Sequence, residues 1–138
     1  MTKTTNYQLN QWAKSDRLRM DDFNADNAKI DAALAGMPKI AVGTYTGTGT
    51  YDVNNKNTLT FPFAPKLVLI AEKRAEWPRS YAIAVYGQER FCHLAAQGNV
   101  GNYNACEWTG NTLTWYCTKD AMAQMNYGNL EYVYFAVG

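Results

Sequence analysis

The chain has 138 residues with 13 basic and 12 acidic side chains, a formal net charge of +1. That length suits one compact domain plus an extension, and the near-neutral balance, without any basic stripe, excludes a sequence-independent hold on nucleic acid. The longest aliphatic run, Leu67 to Ala71, is far too short to cross a bilayer, so no membrane insertion is expected.

Residues 1–14 are polar, rich in Thr and Asn, and punctuated by Tyr7, Leu9 and Trp12. They read either as an arm whose three apolar anchors dock on another protein or as a frayed terminus. No apolar stretch of the signal-peptide kind occurs there, so the sequence predicts no signal peptide and a protein made in a cytosol.

Residues 15–37 predict a helix that carries an oligomerising seam. Met20, Phe23, Ile30, Leu34 and Met37 fall at alternating spacings of three and four, with Asn27 in the missing slot. That is the a/d pattern of a coiled coil with one polar residue at an a position, which fixes register. Ser15 and Asp16 can cap an early start, and Asp21 and Asp22 a later one. Ala25, Ala28, Ala32, Ala33 and Ala35 favour helix. Gly36 suits a left-handed stop, and Pro38 forbids continuation. No second helix is predicted, so the apolar stripe needs either the β region that follows or copies of itself from other chains.

Over residues 38–138 the period becomes two. Strands are expected at Ile40 to Thr46, Thr58 to Phe63, Lys66 to Glu72, Tyr81 to Tyr86, Phe91 to Ala95, Thr112 to Thr118 and Leu130 to Val137. Lys66 to Glu72 and the last strand are apolar on both faces, which marks central strands. Residues 97–104, with Gly98, Gly101 and three asparagines, read as an exposed loop. In Thr112 to Thr118, Leu113, Trp115 and Cys117 share one face, which places Trp115 inside. Short strands without intervening helices predict a mainly β fold, an antiparallel β-sandwich of about six to eight strands.

Three cysteines, Cys92, Cys106 and Cys117, show no C-x-x-C spacing and read as buried free thiols. The single histidine, His93, cannot pair with Cys92 on a strand, because adjacent side chains point to opposite faces. No catalytic residue, metal ligand set or cofactor motif is identified, and the chain reads as no enzyme. Binding is easier to build. Trp77 and Arg79 in Glu76-Trp77-Pro78-Arg79-Ser80, and Tyr103 and Trp108 beside the next loop, offer the stacking and hydrogen bonding that sugar rings need. The same aromatics equally suit a core or a subunit interface.

Two stretches carry a family resemblance. Thr5-Asn6-Tyr7-Gln8-Leu9-Asn10-Gln11-Trp12, with Ser15-Asp16-Arg17 and the run from Asp22-Phe23-Asn24 to Ala32-Ala33-Leu34, resembles the opening of tail-fibre and receptor-binding proteins from phages of Gram-positive bacteria. Val42-Gly43-Thr44-Tyr45-Thr46-Gly47, Asn111-Thr112-Leu113-Thr114-Trp115-Tyr116 and Tyr132-Val133-Tyr134-Phe135-Ala136-Val137-Gly138 resemble the small β domain that often follows. The phrase from Phe63 to Ile70 is also similar to the trimeric H-type lectin sandwich. The resemblance implies a homotrimeric virion protein assembled in the bacterial host cytoplasm. Its arms would dock on a tail or baseplate protein, its coiled coil would be short, and its β head would meet the cell surface and its glycans. Tail-like particles other than phages use the same parts. A lectin-like module acting away from any particle, and a hydrolase of cell-wall glycan, are the alternatives.

Overall fold

The computed structural model describes residues 1–74, 80–95 and 102–138, with the backbone alone at 95 and 102. The chain divides into two compact units, Met1–Pro38 and Lys39–Gly138.

In the first unit, β1 (Thr2–Lys3) pairs antiparallel with β2 (Asn10–Gln11), and α1 spans Met20–Ala35. The hairpin lies on the helix, which the sequence reading did not anticipate. The Asn10 N–H donates to Asp26 Oδ2 at 2.8 Å, and Lys29 Nζ donates to the Gln8 carbonyl at 2.6 Å. Trp12 stacks on Phe23 with ring centroids 5.7 Å apart. Desolvation pushes the Asp26 carboxyl up, but the Asn10 N–H and Lys29 outweigh it and hold the group below its ordinary value.

The helix starts with Arg19 at the N-cap and no side-chain cap bond. Asp16 does not cap it, because its carboxylate takes the Met1 amino group at 3.0 Å and the Ala13 N–H at 2.8 Å. Asp21 and Asp22 lie in the first turn, where the helix dipole favours carboxylates. Gly36 is right-handed, with φ −83°, so the expected left-handed stop is not what ends the helix. Termination falls to Pro38, which has no N–H to donate. The seam residues Met20, Phe23, Ile30 and Leu34, and Met37 just past the helix, remain exposed, from 42% at Ile30 to 77% at Met20. Asn27 is exposed with them.

The second unit holds β3 (Ile40–Thr46), β4 (Asn57–Thr60), β5 (Leu67–Glu72), β6 (Ser80–Val85), β7 (Arg90–Ala95), β8 (Asn102–Thr109), β9 (Thr112–Tyr116) and β10 (Glu131–Val137). They form one antiparallel sheet in the order β3-β10-β5-β6-β7-β8-β9-β4. The expected sandwich of two sheets is therefore a single sheet that curls on itself. Hydrogen bonding runs unbroken through β7 and β8, so the two layers are the two halves of one sheet. Their inner faces meet: Tyr45 of β3 sits edge-on to Trp115 of β9 at 6.1 Å, and Phe61, just after β4, sits edge-on to Tyr134 of β10 at 5.5 Å. Gly43 makes room for this packing, since a Cβ there would collide with the Tyr134 ring. β5 and β10 are central, as their apolar sequences predict.

The strand β8 was expected as loop up to residue 104. Its inward positions, Asn104, Cys106 and Trp108, each find a hydrogen-bond partner, buried for Asn104 and at the exposed Gln88 for the other two. Asn104 Nδ2 donates to the Ala123 carbonyl at 2.8 Å, and Cys106 Sγ and Trp108 Nε1 both reach the Gln88 carbonyl.

Residues 117–130 carry no regular element, yet Ala121, Ala123, Gln124, Met125 and Asn126 are buried. This segment plugs the curl through side-chain hydrogen bonds. Gln124 Oε1 accepts the N–H groups of Asp52 and Cys117 at 3.0 and 2.9 Å. Gln124 Nε2 donates to the Asn55 carbonyl at 2.6 Å and Asn57 Oδ1 at 2.8 Å. Asn126 likewise holds Thr48 and Thr50.

The outer surfaces of the two halves differ in chemistry. Across β3, β10, β5 and β6 the register aligns Val42, Phe135, Leu69 and Ile83 in one row. A second row holds Ile40, Val137, Leu67 and Val85, and a third Thr44, Val133, Ala71 and Tyr81. On the other half, β9 and β4 turn threonines outward, with the Thr58–Thr114 and Thr60–Thr112 hydroxyls each 3.2 Å apart.

Candidate functional site

A groove lies on the polar outer half. Arg90, Ala105 and Tyr116 share one row across β7, β8 and β9. Ala105 is the small member between two long ones, so the surface dips over it. One depression of about 340 Å³ is lined by Arg90, Tyr103, Ala105, Tyr116, Cys117, Thr118 and Lys119. A second, of about 290 Å³, is lined by Lys56, Ala105, Cys106, Glu107, Thr114 and Tyr116. Ala105 and Tyr116 belong to both, which makes them lobes of one feature. Lys56 Nζ stands 5.6 Å from the Tyr116 ring centroid, within cation–π range. Arg90, Lys119 and Lys56 against Glu107 leave the lining net positive. Tyrosine rings, hydroxyls and a cationic rim suit a polyhydroxylated ligand that carries negative charge.

Of the residues singled out in the sequence, Tyr103 lies in this groove and is exposed. Trp108 does not join it. The two are five positions apart on β8 and so face opposite sides. Trp108 points inward, tilted against Tyr86 at 5.4 Å, with Nε1 donating to the Gln88 carbonyl at 3.2 Å. Both lie within β8, Trp108 two positions before the turn at residues 110–111. Trp77 and Arg79 lie outside the described residues. In the first unit Tyr7 is exposed, while Leu9 and Trp12 are half-buried. Arg90, Tyr116, Lys119 and Lys56 were not anticipated. Only Tyr116 left a sequence signal, as the outward partner in the alternation around Trp115.

Cys92 and His93 point to opposite faces. Cys92 is exposed on the outer side of β7, which corrects the expectation of a buried thiol there, while Cys106 is half-buried and Cys117 buried. Burial, and Glu89 after it, push the Cys106 thiol up to about 11. His93 is only 3% exposed, and neither ring nitrogen has a hydrogen-bond partner among the described residues. Desolvation pushes its pKa down; Asp120 and Glu72 pull it up and Lys119 adds to the fall, leaving it below the ordinary value of 6.5. The unfolded chain therefore binds the proton more readily than the folded one. Stability is complete above about pH 6.5 and is lost as pH falls through the folded-state pKa. Urea midpoints measured from pH 7.5 to 5.5 should fall more steeply for the wild type than for His93→Gln. Parallel curves would refute that assignment.

No family model, no curated protein and no solved structure matches the chain.

Proposed function

We propose that this chain is a small trimeric tail fibre or receptor-binding tip of a phage or phage-tail-like particle, whose β head contacts glycans on the bacterial surface. The groove over Ala105 is the observation that carries the binding half of this reading. Its two tyrosines lie among Arg90, Lys119 and Lys56, which points to an anionic glycan. The exposed a/d seam of α1, with Asn27 in register, supports a stalk that joins three copies as a short coiled coil. The hairpin at the N-terminus, with Tyr7 exposed, supports docking on a tail or baseplate protein.

Titration of the full chain with an anionic and a neutral bacterial wall polysaccharide tests the reading. The wild type is expected to bind the anionic one, with affinity that falls as salt rises. Arg90→Ala combined with Tyr116→Ala removes a charged partner and a ring face, and should weaken binding at least about tenfold. Light scattering should give a native mass near three times the 15.5 kDa chain. A wild type that binds no wall glycan, or a double variant that binds equally well, would sink the groove assignment; a monomer would sink the trimer.

A lectin-like module free of any particle is the second reading. It is favoured by the position of the whole groove within residues 39–138. Glycan binding without co-sedimentation with tail particles would select it.

A further inference from the structure

We infer that the apolar outer face of β3, β10, β5 and β6 is where copies of this chain meet. The inference deepens the trimer reading above and rests on it only for the number of copies.

The argument begins in the sequence. β5 and β10 are apolar on both sides, the pattern of strands covered on both faces. Their inner sides are covered by the core, but in the single chain their outer sides are not. Val42 is 64% exposed, Ile83 43% and Phe135 37%. The three rows contain no charged residue, and their outward polar groups are the Thr44 and Tyr81 hydroxyls; the next row of the face holds Thr46 and Glu131, whose carboxylate pairs with Lys73 at 2.9 Å. The other half of the same sheet turns threonines, Glu107 and Arg90 outward, as a strand facing water should. Solvent exposure of the apolar half is therefore not a property of the fold but of the isolated chain.

Strand spacing and the two-residue repeat give the face roughly 19 by 20 Å, about 400 Å² before side-chain relief. A stable biological interface needs about 500 Å² or more from each partner. The flat face alone supplies about four-fifths of that area, before side-chain relief and the rim are added.

Three features identify the occupant as a second copy. The one carboxylate at the end of the face, Glu131, is already paired with Lys73, so the patch offers little to select a different partner electrostatically, and interfaces between identical chains are the more apolar kind. β3 is an edge strand among the described residues, so the face runs out to a backbone edge of the kind that natural proteins blunt or cover. The same chain also carries the α1 seam, and one self-association device raises the effective concentration for the other.

The test is a dilution series of the full chain followed by light scattering. Val42→Lys with Ile83→Lys places two charges on the face without touching the core, and association should weaken at least tenfold. Val42→Thr with Ile83→Thr keeps the β-branched shape and should weaken it less; it decides the matter if the lysine variant shows no cooperative melt. Thr58→Lys with Thr109→Lys, on the polar half, should associate like the wild type. Wild-type association in both face variants would overturn the inference. So would a monomeric wild type, which would leave the face to the chain's own helix or to another protein. Association that depends on the face in a chain that binds no glycan would uphold the inference while the fibre-tip function falls.

Discussion

Gln124→Met is expected to destabilise the head by about 2 kcal/mol: Asn55 is exposed and can turn to water, the Asp52 N–H keeps the Cys117 carbonyl at 3.1 Å, and the buried Cys117 N–H that loses its Gln124 acceptor costs roughly 1–3 kcal/mol. Methionine matches glutamine in length and is apolar, so the packing volume is kept and the loss isolates the polar contribution. The Gln124 side chain is fully buried and makes four hydrogen bonds, to Asp52, Cys117, Asn55 and Asn57. These partners come from the loop before β4, from β4 itself and from the end of β9, so one amide ties the plug to three places in the fold. For a head of this size the thermal midpoint should fall on the order of 10 °C. Urea unfolding should show a lower midpoint with an unchanged slope. A loss under about 1 kcal/mol would mean that water replaces the amide and that the plug is not held by it.

That network also explains why residues 117–130 were illegible in sequence. Strands announce themselves by period two, and the alternation of Leu113, Trp115 and Cys117 placed Trp115 correctly at 1% exposure. The plug has no period. Its burial depends on Gln124 and Asn126 meeting backbone groups about 70 to 80 residues away, and such pairings leave no local trace. β8 failed for a related reason. Its inward slot at Asn104 is polar, which reads as loop; its Nδ2 donates to the Ala123 carbonyl from the plug, while its Oδ1 is buried with no hydrogen-bond partner among the described residues. The donor contact lies 19 residues away and was out of sight in the sequence.

The candidate site was less legible than the fold because it is made by register. Arg90 and Tyr116 are far apart in sequence and come together over Ala105 through the β7–β8 and β8–β9 pairings. Aromatic residues beside asparagines and arginines drew attention to Tyr103 and Trp108, but strand parity separates them. Tyr103 reached the groove and Trp108 the interior. The small residue that makes the depression, Ala105, carries no functional mark in a sequence. The helix was the reverse case: its three-and-four spacing was plain in the sequence, but α1 buries none of its residues, so exposure does not set the seam apart from the rest of the helix.

Trp115→Ala should cost about 3–5 kcal/mol, the usual range for removing a buried aromatic. It should do so by opening the curl, not merely by leaving a cavity. Trp115 meets Tyr45 of β3 at 6.1 Å and Phe91 of β7 at 6.2 Å, each edge-on. Its indole Nε1 donates to the Gln124 carbonyl at 2.8 Å. Tyr45 in turn stacks on Tyr132 at 5.0 Å and donates its hydroxyl to the Met125 carbonyl at 2.6 Å, and burial pushes its pKa up. One indole thus joins the β3 edge, the far half of the sheet and the plug. Phenylalanine at 115 keeps most of the ring contacts and loses the N–H, so Trp115→Phe should cost roughly 1–2 kcal/mol. The cycle with Gln124→Met separates the two accounts. If Trp115 and Gln124 stabilise the plug together, the double variant should lose less than the sum of the singles, by about 0.5 kcal/mol or more. Strict additivity would mean that the indole fills space in the core and does nothing to hold the plug in place.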